Sequence, residues 1–259
     1  MKLFPVLSAF TLMFAIQVFA APQHLTFGVR NAHPFVMLKD GQIDSPDPGI
    51  FIEYLEMVAK RTGITIRYRM CPPKRCFILL GEGSLDGVPI GSYNVERQSK
   101  YAAYPMKNGQ VDESRKTIEG KYSLYKLRGT AVNWNGKHLQ NVDKPIGVNL
   151  GYSITHFFKM RNIPMIENGS TRANMEMLAL GRVAGVAIFP VVGDRVIASH
   201  EKFSSIVKIP EPLISKAYYL LLSHQFVQAH PGLASNMWQA AADIGREGLY
   251  RGLLKKYMQ

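Results

Sequence analysis

The stretch "LLGEGSLDGVPIG" (residues 79–91) aligns without gaps with "MLALGRVAGVAIF" (residues 177–189). Each has the pattern of a helix end, a glycine that closes the helix, and a short apolar strand. The identical positions are Leu80/Leu178, Gly83/Gly181, Gly87/Gly185, Val88/Val186 and Ile90/Ile188. The repeat predicts two structurally similar units within one chain.

A second, weaker pair of similar segments precedes the first. "TFGVR" (residues 26–30) resembles "PIGVN" (residues 145–149), and each is an apolar strand followed by a loop and a helical pattern. In the second half that helix begins after Ser153 and places Phe157 and Phe158 on one face. Each half thus alternates strand, helix, helix, strand, which predicts an α/β fold of two lobes.

The helix boundaries are marked by proline and glycine. Asp47 and Pro48 form a predicted N-cap and first-turn proline for a helix that ends at Gly63. Residues 231–258 have the pattern of two helices broken near Gly245. The apolar spacing there predicts core positions for Met237, Trp238 and Leu249.

The amino terminus has the pattern of an export signal. Residues 1–20 carry one charge, Lys2, followed by an apolar run that closes with the small residues Val18 and Ala20. This predicts a signal peptide cut after Ala20, and an uncleaved anchor is the alternative. No later stretch approaches the roughly 18 apolar residues that a spanning helix needs, so we expect the mature chain to be soluble and exported.

The charge balance favours anionic ligands. The formal net charge is +12, and the basic residues are spread along the chain without forming a run. Such a field favours small anions or anionic surfaces. No nucleic-acid-binding motif accompanies it, so nucleic acid is not an expected partner.

The two cysteines, Cys71 and Cys76, lie close together in "MCPPKRC". Nearby cysteines of an exported chain usually pair, which predicts a disulfide, with free thiols as the alternative. A zinc site would need two further ligands at suitable spacing, and none is visible. The histidines show no metal-site spacing either, so we expect no metal and no cofactor.

The sequence resembles the type II periplasmic solute-binding proteins, in the family 3 branch of amino-acid type. The resemblance covers nearly all of the chain after residue 20. It rests on the order of "LTFGVR" with "HPF", "GIFIEYLEMVAKRTGITIRY", "GSLDG" with "SYNVER", "PIGVNLGYS", "LALGRVAGV" and "HPGLASNMWQAAADIGREGLYRGLLKKYM". It implies a periplasmic, monomeric protein whose two α/β lobes are joined by two hinge segments and clamp a ligand between them.

In that fold the chain crosses between the lobes twice. The first crossing is expected near residues 122–126 and the return near residues 216–223, where "KAYYLLLS" is a continuous apolar strand. The implied organisation is a signal peptide (1–20), the first part of lobe 1 (21–122), lobe 2 (123–219) and the returning helices of lobe 1 (220–259).

Arg97 follows the predicted strand end at Ser92 by five residues. An arginine early in a short helix is by itself also consistent with a solvated surface charge. In the resembling family, an arginine at this spacing from a strand-end serine or threonine binds the carboxylate of the ligand. A guanidinium suits that role because its planar fork donates two parallel hydrogen bonds to a carboxylate.

The second half offers a matching loop, Gly151-Tyr152-Ser153 in "NLGYS". Gly151 predicts a tight turn and Ser153 a helix start, where free backbone N–H groups favour an anion. The resemblance implies that Ser153 contacts the same carboxylate, although simple N-capping stays open. It also implies that Phe35 forms an aromatic wall of the site, with core packing as the alternative.

The sequence departs from the family where amino-acid binders usually carry an acid that holds the ammonium group. The second-lobe strand ends in Phe189, the first acid is Asp194, and Ala184 occupies a frequent aspartate position. Three ligand chemistries stay open: a carboxylate without an ammonium anchor, an aromatic or amphipathic carboxylate resting on Phe189, and an amino acid held by another acid such as Glu53.

The sequence therefore predicts a binding protein for a small anionic or zwitterionic solute that serves the permease subunits of an ABC importer or a membrane sensor. We do not expect an enzyme, because "GYSIT" lacks the final glycine of G-x-S-x-G and no orienting acid follows Ser153 and His156. The open enzymatic alternative is a small dehydratase of the same fold, with His33 or Glu53 as general acid.

Overall fold

The computed structural model describes residues 24–43 and 46–258, and the predicted signal peptide lies outside them. The described residues form two α/β lobes that share one nine-stranded sheet. Within these ranges no helix is both long enough and apolar enough to cross a membrane.

Lobe 1 is built around β1, which lies between two parallel neighbours, β4 and β5. In this central position its apolar side chains Leu25, Phe27 and Val29 are all buried. The elements of this part are β1 (His24–Val29), β2 (Leu38–Lys39), β3 (Gln42–Ile43), α1 (Ile50–Thr62), β4 (Thr65–Met70), α2 (Pro73–Gly81), β5 (Gly87–Ser92), α3 (Val95–Lys100), β6 (Met106–Lys107), β7 (Gln110–Val111) and a 3-10 turn (Glu113–Arg115).

Lobe 2 repeats this arrangement, with β11 parallel to β12 on one side and to β13 on the other. Gly83 and Gly181 each follow a helix with positive φ, at 73° and 63°, and a strand starts four residues later at Gly87 and Gly185. The elements are β8 (Ile118–Leu127), β9 (Asn133–Trp134), β10 (Leu139–Gln140), β11 (Ile146–Asn149), α4 (Ile154–Lys159), β12 (Met165–Asn168), α5 (Thr171–Ala179), β13 (Gly185–Ile188), α6 (Pro190–Ala198), a 3-10 turn (Glu201–Phe203) and β14 (Ile206–Lys208).

Two long antiparallel strands join the lobes, β8 and β15 (Ile214–Leu222). β8 pairs with β15 as far as Tyr122 and with β13 from Ser123 onward. β15 pairs with β8 up to Tyr218 and with β5 from Tyr218 onward. The chain therefore passes between the lobes within continuous β-strands.

The carboxyl-terminal helices return to lobe 1. They are α7 (His224–Ala229), α8 (Pro231–Arg246) and α9 (Leu249–Met258). α8 packs on α1 and β15, and the Trp238 indole N–H donates to the Leu220 carbonyl at 3.0 Å. Met237 and Trp238 are buried as predicted, whereas Leu249 is 39% exposed, so its predicted core position is wrong.

Two predicted helix boundaries differ in the structure. The break between α8 and α9 falls at Gly248, which has a φ of 77°, and not at Gly245. α1 begins at Ile50, and its N-cap is Gly49 rather than Asp47. Gly49 is required because its φ is 101° and a Cβ there would lie 2.7 Å from the Phe35 carbonyl oxygen. The predicted end at Gly63, with a φ of 70°, is confirmed.

Candidate functional site

A cavity of about 380 Å³ lies between the two lobes and the hinge strands. The carboxyl ends of β1, β5 and β11 meet there, as expected for ligand sites in open α/β sheets. It is lined mainly by aromatic and aliphatic side chains. The polar and charged residues at its wall are Arg30, Ser92, Arg97, Glu119, Lys121, Tyr122, Tyr152, Ser153, Tyr218 and Tyr250.

Arg97 lies on lobe 1 of this cavity, half-buried in the first turn of α3. Asn94 caps that turn by accepting a hydrogen bond from the Arg97 backbone N–H at 2.8 Å. The guanidinium Nη1 donates to the Ser92 carbonyl at 2.6 Å and to the Tyr104 hydroxyl at 3.3 Å, and the guanidinium carbon lies 4.6 Å from the centroid of the Phe77 ring. Nε and Nη2 have no hydrogen-bond partner among the described residues.

Ser92 is buried at the end of β5, beside Arg97. Its carbonyl oxygen also accepts a hydrogen bond from the Tyr104 hydroxyl at 2.7 Å. The Ser92 backbone therefore fixes the position of the guanidinium, and its hydroxyl makes no hydrogen bond to the part of the chain that the structure describes. The five-residue spacing from Ser92 to Arg97 brings both residues to the cavity.

Ser153 lies at the amino terminus of α4, across the cavity from Arg97. Its hydroxyl does not cap the helix but lies 3.1 Å from the Tyr218 hydroxyl and 3.4 Å from the Tyr122 hydroxyl. Burial raises the pKa of both phenols, so they are protonated donors at neutral pH. This hydroxyl cluster connects lobe 2 to the two hinge strands.

Phe189 stands at the end of β13 and forms the centre of an aromatic wall. Its ring centroid lies 4.2 Å from that of Tyr122, 5.7 Å from that of Tyr218 and 5.8 Å from that of Tyr152. Phe35 lies on the opposite side, where its ring stacks on Phe51 at 4.7 Å and both rings line the cavity. Phe35 is also part of the lobe 1 core, so core packing is present, and contact of Phe35 with a ligand stays a prediction.

The lobes approach each other at Gly151 and at Tyr152. A Cβ on Gly151, which has a φ of 76°, would lie 3.3 Å from the side chain of Pro73 in lobe 1. The Arg30 guanidinium carbon lies 5.0 Å from the centroid of the Tyr152 ring. All four residues of these contacts line the cavity.

The structure does not bring Glu53 to the cavity. Its carboxylate accepts hydrogen bonds from Lys256, at 2.6 Å, and from the Tyr257 hydroxyl. His33 likewise does not line the cavity, and its Nε2 lies 3.4 Å from Nη2 of Arg195. Burial and the charge of Arg195 lower the pKa of His33, so it is neutral near pH 7.

Three residues at or beside the cavity were missed by the sequence reasoning. Arg30 directly follows β1, and the rule that ligands bind at carboxyl ends of strands contains the signal for it. Tyr218 and Lys216 lie in the hinge strand β15, within a continuous apolar run that hides which side chains face the cleft. The Lys216 ammonium donates to the Ser153 carbonyl at 3.1 Å, and burial together with Arg97 lowers its pKa.

The predicted disulfide joins Cys71 and Cys76, whose Cα atoms are 5.4 Å apart. It covers the end of β1, because a Cβ on Gly28 would lie 3.1 Å and 3.3 Å from the two sulfur atoms. Phe77, the residue after Cys76, is the ring beneath Arg97. The disulfide therefore fixes the start of the helix that carries this ring.

Replacing both cysteines with serine should lower the free energy of unfolding by about 2 kcal/mol, as expected for closing a short loop. It should also weaken binding of a carboxylate ligand several-fold, because Phe77 loses its fixed position under Arg97. Urea denaturation and calorimetric titration measure the two effects. Reduced stability with unchanged affinity would show that the rest of α2 suffices to position Phe77.

Neither a family model nor a curated protein sequence matches the chain. Solved structures do match its fold. A histidine kinase sensor domain with similarity to periplasmic binding proteins is 14% identical, with a TM-score of 0.68, and the match covers 90% of this chain and 94% of that one. The GluR0 ligand-binding core from Nostoc punctiforme, in complex with L-glutamate, is 14% identical, with a TM-score of 0.68 and coverage of 90% and 98%.

An ancestral arginine-binding protein bound to glutamine is 16% identical, with a TM-score of 0.67, and the match covers 92% of this chain and 99% of that one. These similarities define the class of fold. The chain has the two-lobed α/β fold of type II periplasmic binding proteins, and the predicted fold is confirmed. Among the described residues no cluster of three or more histidine, cysteine, aspartate or glutamate side chains could hold a metal ion.

Proposed function

We propose that this chain is a periplasmic solute-binding protein that captures a small carboxylate-bearing solute in the cleft between its lobes. The arrangement of the Arg97 guanidinium is the observation that supports this proposal most directly. One nitrogen of its guanidinium is held by the Ser92 carbonyl and the Tyr104 hydroxyl, while Nε and Nη2 have no partner in the described chain. A preorganised fork of this kind binds a carboxylate with little loss of side-chain entropy.

Ser153 supplies the contact from lobe 2. It faces the same cavity, and its hydroxyl lies within a cluster of hydroxyl groups that can donate to an anion. A solute that contacts Arg97 and Ser153 together favours closure of the lobes about β8 and β15. The closed form would then be recognised by a membrane partner.

For that partner we propose the permease subunits of an ABC importer. A membrane sensor is the second candidate, which the similarity to a histidine kinase sensor domain supports. Uptake of a labelled ligand separates the two: cells that lack the gene lose uptake if the chain serves an importer. Retained uptake together with a lost transcriptional response would favour the sensor.

We further propose that the chain binds its solute without converting it. Neither His33 nor Glu53, the candidate general acids of a dehydratase, lies at the cavity wall. Glu119 is the one carboxylate among the described cavity residues, and it is exposed and lies 3.6 Å from the Lys116 ammonium. Incubation of the bound ligand with excess protein should therefore return it unchanged by mass spectrometry.

A thermal-shift screen of the chain from Ala21 onward tests the binding proposal. The screen covers amino acids, keto and hydroxy acids, aromatic acids and short peptides. A ligand present at 100 times its dissociation constant stabilises the folded state by about 2.7 kcal/mol, which raises Tm by about 5–10 °C. A cooperative unfolding transition that no carboxylate shifts would contradict the proposal.

A further inference from the structure

Resting on this proposed function, we infer that the solute is a carboxylate on a flat apolar body that carries no ammonium group, such as an arylalkanoic, aryl keto or aryl hydroxy acid. The charges and the walls of the cavity determine which chemistry suits the part of the ligand beyond the carboxylate.

The cavity is surrounded by positive charge. Arg30 and Arg97 line it. The Lys216 ammonium donates to the carbonyl of Ser153, a residue of the cavity wall. The pKa of the Lys216 ammonium is lowered both by burial and by the positive charge of Arg97, so the two cations act on a common region. An ammonium group of the ligand would add a further cation to this region.

Glu119 is the one acidic residue at the cavity wall among those that the structure describes. Gly120 and Tyr122, on the same face of β8, lie against Phe189, whereas the exposed carboxylate of Glu119 lies 3.6 Å from the Lys116 ammonium. Glu53 is bound to Lys256 and Tyr257.

Asp194, the first acid after β13, accepts a hydrogen bond from the Tyr125 hydroxyl at 2.6 Å and pairs with Lys208. The carboxylates of Glu53, Glu119 and Asp194 are therefore each paired with a lysine of the protein. Desolvating an ammonium group of the ligand without a partner is costly.

The walls of the cavity suit a flat apolar body. Phe35 and Phe51 form one side, and Tyr152 and Phe189 form the other. A ring between them gains from apolar burial and from aromatic contact.

A quaternary ammonium is the alternative that aromatic walls can favour. Two of the aromatic faces here already carry a guanidinium, however: Arg97 covers Phe77 at 4.6 Å and Arg30 covers Tyr152 at 5.0 Å. The Phe189 ring packs on Tyr122. The positive charges of Arg30 and Arg97 next to these rings therefore oppose a further cation.

Calorimetric titration with 3-phenylpropanoate and L-phenylalanine tests the inference, because the two molecules differ only in the ammonium group. We expect 3-phenylpropanoate to bind at least about tenfold tighter. Lys216→Met should reduce this ratio at least threefold, since it removes a cation that opposes the ammonium group. Lys216→Arg keeps the charge and should preserve the ratio.

Equal or tighter binding of L-phenylalanine would overturn the inference, as would tighter binding of a carboxybetaine. If such a ligand loses affinity in Arg97→Ala, the proposed binding function stands and only the inferred chemistry fails. If no carboxylate of either kind binds, both fail. If Lys216→Met leaves the ratio of the affinities for 3-phenylpropanoate and L-phenylalanine unchanged, the positive charge of Lys216 does not oppose the ammonium group.

Discussion

Replacing Arg97 with alanine is expected to weaken binding of the carboxylate ligand by about 30-fold to 1,000-fold, or about 2–4 kcal/mol. The loss is large because the variant removes a charge-assisted hydrogen-bonding group and leaves the ligand carboxylate desolvated in an apolar cavity. Titration calorimetry with the best ligand from the screen measures it. Binding within threefold of the unmodified protein would exclude Arg97 as the carboxylate contact.

Two variants separate the possible causes of that loss. Arg97→Lys keeps the charge but loses the planar fork, so its affinity should fall between those of the unmodified protein and the alanine variant. Arg67→Ala removes an exposed arginine of β4 that lies outside the cavity, and it should leave affinity nearly unchanged. Equal losses in Arg67→Ala and Arg97→Ala would indicate a general effect of net charge.

The largest expected effect on stability comes from Gly245→Ala in α8. A Cβ on Gly245 would lie 1.8 Å from the backbone carbonyl oxygen of Thr117, so the helix would have to move away from the residue that precedes β8. Helix propensity offsets about 1 kcal/mol, and we still expect a net loss of at least about 2 kcal/mol in the free energy of unfolding. Chemical denaturation measures the change.

Gly232→Ala provides the matched control in the same helix. A Cβ at position 232 would meet no described atom within 4 Å beyond its own stretch of helix, so the substitution should leave stability unchanged or raise it by about 0.5 kcal/mol. Thr117 is buried, and its hydroxyl contacts the Tyr54 hydroxyl at 3.0 Å. A Gly245→Ala variant as stable as Gly232→Ala would mean that α8 can shift at low cost.

The sequence made the repeated part of the fold predictable because its signals are local. The glycines at positions 83 and 181 end helices through their own backbone conformation, and apolar runs after them form the buried strands. The same locality explains why the Ser92–Arg97 spacing could predict that both residues lie at the cavity. A strand end followed by a capped helical turn fixes where that arginine lies.

Features that depend on contacts between distant segments were not predictable in this way. Gly245 looked like a helix break, but it is needed for close approach to Thr117. Gly49 is the N-cap of α1 because its backbone packs against Phe35, and no local sequence pattern predicts that contact. The Ser153 hydroxyl contacts the hydroxyls of Tyr122 and Tyr218 instead of capping its helix. These two tyrosines come close to each other only when β8 and β15 are paired.

The strand exchange between the lobes has a consequence for the order in which the chain folds during synthesis. Lobe 2 comes from one uninterrupted segment, so its parallel strands and their helices are all present once residue 208 has emerged. Lobe 1 lacks β15, the neighbour of β5, and α8, the cover of α1, until the final residues are made. Lobe 1 therefore cannot complete its fold until the carboxyl terminus has been made. Until then the apolar face of α1 stays uncovered and is prone to aggregation.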